Sequence, residues 1–270
     1  MARISHNDVR TVVTLSDSEW AYVKARFAGV GEQSEAPQSL FASGVLASTG
    51  LLDDTAKTAF GGLIDTQQVL ETRRLRADGT FRVEAWITPS SVTLARHVDD
   101  GIHVYAIDPE ELPSVMLEVL DLRPRPALDA GPYELPLAMD EAVRANDVDA
   151  MQQVFNYWLS VLIPADETEE DPDPTPLMAG VYLKRWTWVS TTLATLNDGE
   201  WSQSTPFVTL SVPHCLYRVF PVAKDNGNSV EQAWNEINDE TENLELKTIN
   251  SMNAWALLSQ WMFTAEPSVV

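Results

Sequence analysis

The feature that most constrains the fold is a series of apolar segments joined by a tight acidic turn. Residues 81–87 alternate between apolar and polar side chains, and this period of two predicts a strand with one buried face. A second segment, 92–98, leads into Asp99-Asp100-Gly101, which is a strong hairpin signal, and 102–107 continues beyond it. Three successive strands joined by short connections favour an antiparallel sheet.

Helical patterns precede and follow these strands. A short strand at 12–15 is followed by Ser16 and Glu19, which have capping-box spacing before an amphipathic helix. Asp108-Pro109 opens another helix, with a capping residue and then proline at the first helical position. We also predict a helix that starts at Asp53 or Asp54 and runs to Leu70. Three basic residues are expected near its C-terminal end: Arg73, Arg74 and Arg76.

The second half of the chain repeats this order of elements. Asp147 is expected to cap a helix through residue 162, and Asn197-Asp198-Gly199 predicts another hairpin. An acidic run, Asp166–Asp173, is interpreted as a solvated loop and lacks the ligand spacing of a calcium-binding loop. Strands are expected at 181–189, 190–196, 201–212 and 216–222, and helices are expected from Ser229 and over 249–262.

This repetition predicts an α+β fold with a central, largely antiparallel sheet and helices outside it. The two halves are expected to be related by a pseudo-twofold axis. We place the N-terminal half at residues 1–126, a Pro-rich connector at 127–136 and the C-terminal half at 137–270. The connector is expected to be irregular, and the whole chain is expected to form one compact domain.

The charge balance narrows the classes of partner. The formal net charge is −22, from 40 acidic and 18 basic residues. Such a field opposes binding to nucleic acid and to anionic lipid, so we expect neither nucleic-acid binding nor membrane insertion. The single cysteine, Cys215, and an N-terminus without a secretory pattern predict a soluble protein in the reducing cytoplasm.

No established catalytic motif is present in the sequence. His97 and His103 flank the acidic turn and could approach each other, but a metal site would need a third ligand. His214 and Cys215 are adjacent, and adjacent residues of a strand point to opposite faces, which is poor geometry for a nucleophile and its base. We therefore assign no catalytic residue, no cofactor and no metal, and expect a protein that is not an enzyme.

The nine tryptophans are more informative. Several share a strand face with charged residues, and such a face is either covered by a second layer or is a recognition surface, because aromatic residues are enriched at binding hot spots. Both interpretations stay open. The residues predicted to contact a partner are Trp86, Asp99, Asp100, Trp186, Trp188 and Trp255.

The sequence resembles the EspG family, the cytosolic chaperones of type VII secretion. The resemblance covers about residues 11–263 and rests on the strand and Trp-containing helix at 12–20, the helix boundary at 50–53 and the strand at 82–89. Its strongest part is the segment 105–112, Tyr-Ala-Ile-Asp-Pro-Glu-Glu-Leu, which runs into Leu-Asp-Leu-Arg-Pro-Arg-Pro at 120–126.

This resemblance implies a central sheet flanked by two helical bundles, and a non-catalytic chaperone or adaptor as the function. Such a protein would shield the apolar tip of a helical secretion substrate, of the PE/PPE type or another type VII client, before export. Two alternatives remain at this stage: an enzyme of unrecognised class with a carboxylate and histidine pocket, and a structural or self-assembling scaffold protein. A homodimer is also left open.

Overall fold

Strands dominate the structure. The computed structural model describes residues 2–6, 10–32, 34–125, 133–136, 147–162, 175–204, 206–221 and 243–264. The helices within these ranges are α1 (Asp17–Phe27), α2 (Gln38–Ala42), α3 (Asp54–Ala59), α4 (Leu112–Val119), α5 (Val148–Leu162), α6 (Pro176–Tyr182) and α7 (Ser251–Thr264), with a 3₁₀ turn at Pro109–Glu111. The strands are β1 (Arg3–His6), β2 (Thr11–Leu15), β3 (Gln68–Arg76), β4 (Gly79–Ile87), β5 (Val92–Val98), β6 (Gly101–Ile107), β7 (Tyr133–Pro136), β8 (Thr187–Asn197), β9 (Glu200–Gln203), β10 (Phe207–Ser211), β11 (Leu216–Pro221) and β12 (Asn243–Thr248).

All twelve strands within the described ranges belong to one antiparallel sheet. Its order is β1-β2-β6-β5-β4-β3-β8-β10-β11-β12-β7, and β9 pairs with the end of β8. The central pair, β3 and β8, runs antiparallel over nine residues with Thr72 opposite Thr191. The predicted α+β class with a large antiparallel sheet is therefore confirmed. The duplicated halves, the flanking bundles and the domain boundaries stay predictions.

Helices cover different parts of the two faces of this sheet. The face that carries Trp86 and Trp188 is here called the front face. It is covered by α1, α2 and α3 over the N-terminal strands and by α5 and α6 over the C-terminal strands. The opposite, back face carries Leu70 and Leu193, and α4 and α7 pack on it near the centre. Both faces of the central strands are thus buried, which explains their many apolar residues.

Several local predictions are confirmed. The side chains of Ser16 and Glu19 form the expected capping box at the start of α1. The Asp99-Asp100-Gly101 turn joins β5 to β6, and the Asn197-Asp198-Gly199 turn joins β8 to β9. Asp147 caps α5, because its Oδ1 accepts a hydrogen bond from the backbone N–H of Ala150 at 2.8 Å.

The helix predicted to reach Leu70 is wrong. α3 ends at Ala59, and Gln68–Arg76, which includes the three arginines, is the central strand β3. The physical reason lies at Gly62, whose backbone packs against β4 and β5: a Cβ there would lie 2.3 Å from the carbonyl oxygen of Trp86 and 2.3 Å from the amide nitrogen of Thr93. The backbone is also left-handed at Asp65 (φ +59°), a conformation that a right-handed α-helix does not contain.

Other boundaries also differ from the predictions. The strand expected to begin at residue 181 begins only at Thr187, because residues 181–186 are the end of α6 and a turn. The two strands expected at 181–189 and 190–196 are one strand, β8, which runs unbroken from Thr187 to Asn197. The connector expected to be irregular contains β7, which pairs with β12. Strands β1 and β12 had no sequence prediction. The remainder of the connector at 127–132, the acidic run Asp166–Asp173 and the helix expected from Ser229 lie outside the described residues.

None of the described helices has both the length and the apolar character that crossing a lipid bilayer requires.

Candidate partner-binding surface

The structure buries three of the tryptophans that were predicted to contact a partner. Trp86, Trp186 and Trp188 are each at most 2% exposed. The Trp86 ring packs edge-on against Trp20 at 6.1 Å, and the Trp186 indole donates a hydrogen bond to Gln152 at 3.0 Å. Of the two interpretations that the sequence left open, a face covered by a second layer is the one found at these positions. Strand alternation places the rings on one face of the sheet, but it does not show that α1 and α5 cover that face.

The charged residues beside Trp86 form a buried network around Glu84. Both indole N–H groups of Trp20 and Trp86 donate to its carboxylate, at 3.3 and 3.2 Å. His97 Nε2 lies 3.2 Å from the same carboxylate, and Lys24 and Arg82 pair with it at 3.4 and 3.0 Å. Because its partners lie on α1, β4 and β5, this carboxylate holds α1 against the front face of the sheet.

Electrostatics keep the Glu84 carboxylate ionised. Burial alone raises its pKa, but the hydrogen bond with His97 and the charges of Lys24 and Arg82 outweigh that effect and lower the pKa from 4.5 to about 2. A general acid or base must exchange its proton near the working pH, and a carboxyl group with this pKa does not. The network is therefore suited to holding structure.

The two histidines that flank the acidic turn do not meet. In the β5–β6 register His97 pairs with Ile102 and Arg96 pairs with His103, so the two imidazoles lie on opposite faces of the sheet. The predicted approach of these rings is wrong, because the residue directly opposite His97 is Ile102, one position before His103. Within the described ranges, no three His, Cys, Asp or Glu side chains come together in a way that could hold a metal ion.

The acidic turn itself is exposed. Asp99 and Asp100 both lie on the surface, and Asp100 forms an ion pair with Arg3 at 3.0 Å while its other oxygen lies 2.9 Å from His103 Nε2. Asp100 thus already joins β1 to the β5–β6 hairpin. A role of either aspartate in contacting a partner stays a prediction.

His214 and Cys215 lie in the turn between β10 and β11. Cys215 is fully buried and His214 is exposed, so the two side chains occupy different environments. The predicted separation is found, but its cause is the geometry of the turn, since neither residue belongs to a strand.

The exposed side of α7 is a different kind of surface. Ala254 and Leu258 are buried against the back face of the sheet, and Trp255 is half-buried beside them. Met252 and Leu257 project outwards, with exposed fractions of 80% and 46%. Trp255 was predicted as a contact residue, and the structure places it beside this exposed surface.

This helix carries no charge. Between Lys247 and Glu266 the sequence contains no Asp, Glu, Lys, Arg or His, in a chain where 21% of residues are charged. The outward arc of α7, here called the α7 surface, therefore has only uncharged members. They are Met252, Asn253, Ala256, Leu257 and Gln260. The uncharged stretch is the sequence signal that could have identified Met252 and Leu257, which our sequence reasoning missed.

Comparison with known proteins assigns the chain to no family. No protein-family model matches the sequence, and no curated protein matches it. The solved structures to which the chain is similar include the Mycobacterium tuberculosis type VII secretion system chaperone EspG5 in complex with a PE25-PPE41 dimer. The match covers 91% of this chain and 93% of that chain, at 11% sequence identity and a TM-score of 0.47. A likeness at this level gives the chain neither a family nor a function.

Proposed function

We propose that this chain is a non-catalytic protein-binding chaperone or adaptor, and that the α7 surface contacts its partner. The observation that carries the proposal is the uncharged α7 surface, with Met252 and Leu257 exposed on a protein of net charge −22. Groups of exposed apolar residues mark interaction sites more often than single exposed residues do.

The energetics favour an apolar partner surface. Fully burying a methionine or leucine side chain contributes roughly 1.5–3 kcal/mol, so covering the exposed fractions of Met252 (80%) and Leu257 (46%) is worth on the order of 2–4 kcal/mol before the cost of association. Charged partners gain nothing from the α7 surface, which offers them no counter-ion. An amphipathic helix presents the complementary apolar stripe, so a helical partner suits the surface.

The class of partner follows from the sequence resemblance alone. The segments at 12–20 and 105–112 resemble the EspG family, and on that basis the partner is a helical type VII secretion substrate of the PE/PPE type, held in the cytoplasm before export. The high negative charge suits this work, because it keeps both the chaperone and a bound aggregation-prone client in solution.

The two-half architecture is part of the same proposal. Starting from β3, the sheet runs outwards through β4, β5 and β6 to β2, and starting from β8 it runs through β10, β11 and β12 to β7. The outermost of these strands is β2 in the first half and β7 in the second. Each precedes in sequence the helices of its half and the other strands named here for that half. The equivalent strands β3 and β8 pair with each other, which supports a pseudo-twofold axis between Thr72 and Thr191.

The proposal is tested by placing a charge on the α7 surface. Leu257→Glu alters an exposed side chain, so the free energy of unfolding should change by no more than about 0.5 kcal/mol. A client that buries this position should be lost, because an unpaired carboxylate would then be desolvated. The measurement is the amount of client that co-purifies with the tagged chain from its native cells, quantified by mass spectrometry.

The matched control is Thr58→Glu, which adds the same charge to an exposed position of α3, a helix on the front face. We expect a helical client to fall at least tenfold with Leu257→Glu and to stay with Thr58→Glu. Equal recovery of every co-purifying protein with the two variants would contradict the assignment of the α7 surface.

A further inference from the structure

A second surface feature is independent of α7. A cleft of about 480 Å³ opens at one end of the sheet, where the β3–β4 turn, the start of β8 and the end of β10 meet the C-terminal ends of α4 and α6. Its volume lies in the range of small-molecule sites. The lining residues are Arg76, Ala77, Asp78, Asp121, Arg125, Lys184, Arg185, Trp186, Thr187, Ser211, Val212 and Pro213.

Basic residues are concentrated in this cleft. Four of the 18 Lys and Arg residues of the chain line it, against two aspartates. The C-termini of α4 and α6 each add roughly half a negative charge at most, so the sum remains positive by about one unit. The cleft is thus locally positive on a strongly acidic molecule.

The acidic members of the cleft are already neutralised. Asp121 pairs with Arg125 at 3.0 Å and with Arg123 at 2.7 Å, and the Arg125 side chain is only 9% exposed. Asp78 lies 3.6 Å from Arg76. In the described part of the chain, no carboxylate forms an ion pair with Lys184 or Arg185. Two cations at the mouth of the cleft therefore lack a counter-ion there.

Lys184 adopts a strained, left-handed backbone conformation in a turn where glycine would fit without strain. Lys184 follows α6 in the left-handed region, at φ +55°, and the N–H groups of Lys184 and Arg185 bond to the carbonyls of Val181 and Gly180 at 3.0 and 2.7 Å. This is a Schellman motif, in which glycine is the usual residue at the position of Lys184. A left-handed backbone conformation is unfavourable for a residue with a side chain. A lysine at this position therefore indicates that its positive charge has a function.

The walls of the cleft are held rigidly. Gly180 of α6 lies so close to Val212 that a Cβ there would be 2.6 Å from the valine side chain. Asp121 ends α4 in a second left-handed turn, at φ +51°, and the backbone N–H of Leu122 donates to Leu117 at 3.3 Å. The cations therefore sit on fixed turns, so little ordering is needed when a ligand binds.

The net negative charge of the molecule favours a small anionic ligand over a large one. A large acidic partner would experience the net charge of −22, whereas a small anion inside the cleft experiences mainly charges within the Debye length of about 8 Å. Arginine and lysine are both common phosphate ligands, and arginine binds phosphate oxygens in a bidentate manner. A compact, doubly charged phosphate group matches Lys184 and Arg185, the two cations that pair with no carboxylate among the described residues.

We propose that this cleft binds a small ligand that carries a phosphate group, with Lys184 and Arg185 as the residues that contact the phosphate and Arg125 as a fixed cation behind them. This site is separate from the α7 surface. It can be correct whether or not the proposed chaperone function is.

The test uses inorganic pyrophosphate as the probe in isothermal titration calorimetry on the full chain. We expect saturable one-site binding that weakens as salt is raised. Lys184→Gly removes the charge and leaves the residue that the turn prefers, so misfolding does not confound the result. Together with Arg185→Gln it should weaken binding at least tenfold, whereas Lys57→Gln on α3 should not change it.

The absence of saturable binding, or equal binding by the wild type and the double variant, would overturn the proposal. Binding of an oligoglutamate peptide without binding of pyrophosphate would also overturn it. Co-sedimentation with vesicles that contain phosphatidic acid, but not with pure phosphatidylcholine vesicles, would identify the phosphate as a lipid headgroup. Pyrophosphate binding without co-sedimentation would identify a soluble phosphorylated ligand.

Discussion

Glu84 shows at the scale of one residue how a chain with 40 acidic residues uses a buried carboxylate. The side chain is 3% exposed, and it accepts indole hydrogen bonds while pairing with partly exposed cations. Removing its charge would leave Lys24 and Arg82 facing a neutral group in a poorly solvated place. Loss of one partner from a buried network is costly for this reason.

We predict that Glu84→Gln lowers the free energy of unfolding by about 2–3 kcal/mol at pH 7. The matched control is Glu71→Gln, because Glu71 pairs with Arg73 and Arg82 on the same face but is 27% exposed. That change should cost less than about 1 kcal/mol. The measurement is urea unfolding followed by tryptophan fluorescence, and equal effects of the two changes would contradict this account.

The same carboxylate predicts a pH dependence. The folded-state pKa of Glu84 is about 2, below the ordinary value of 4.5, so the charged group stabilises the fold above pH 4.5 and this contribution is lost as the pH falls from 4.5 to about 2. The difference between wild type and Glu84→Gln should therefore shrink over that range. A difference that stays constant from pH 7 to pH 3 would show that the charge of Glu84 is not the cause.

At the scale of elements, local signals predicted most short connections and failed where packing decides. The capping box at Ser16 and the Asp-Gly and Asn-Asp-Gly hairpins follow from side-chain chemistry within a few residues, so they could be identified from the sequence. β3 could not be identified in this way, since three arginines and apolar residues on both faces hide the alternation of apolar and polar side chains. β12 and the burial of Trp186 depend on strands and helices that are distant in sequence.

Gly62 offers the sharpest test of how α3 is placed on the sheet. Gly62→Ala would put a Cβ 2.3 Å from backbone atoms of two strands, which cannot move without disturbing the sheet. We predict a loss of about 3 kcal/mol in the free energy of unfolding, at the upper end of overpacking effects. At the neighbouring Gly61 a Cβ meets only the Ser91 side chain at 2.9 Å, so Gly61→Ala should cost less than about 1 kcal/mol. Similar thermal stabilities of the two variants would contradict the described contact.

At the scale of the whole molecule, one pair of strands joins the two halves of the sheet. Thr72 of β3 and Thr191 of β8 face each other at the middle of this junction, with their hydroxyl oxygens 3.0 Å apart and both side chains buried. The order of elements in the sequence predicted repeated halves, but the register that places these two threonines together could not be predicted from local patterns. Of the residues predicted to contact a partner, Trp255 lies beside the α7 surface that we propose for this role, whereas Trp86, Trp186 and Trp188 are in the core.

The junction can be tested with a double-mutant cycle. Thr72→Val or Thr191→Val alone leaves one buried hydroxyl without its partner and should cost about 1–3 kcal/mol in the free energy of unfolding. The double variant removes both hydroxyls, so it should be more stable than the sum of the single effects predicts, by about 1 kcal/mol or more. Additive effects in chemical unfolding would show that the two hydroxyls are not coupled.

The central claim is that the α7 surface binds a protein partner, and site-specific photo-crosslinking in the native cells tests it most directly. A photoreactive phenylalanine analogue at position 257 should form one discrete adduct with a helical protein identified by mass spectrometry, and the same analogue at position 58 should not form it. No adduct at position 257, or identical adducts from both positions, would contradict the claim.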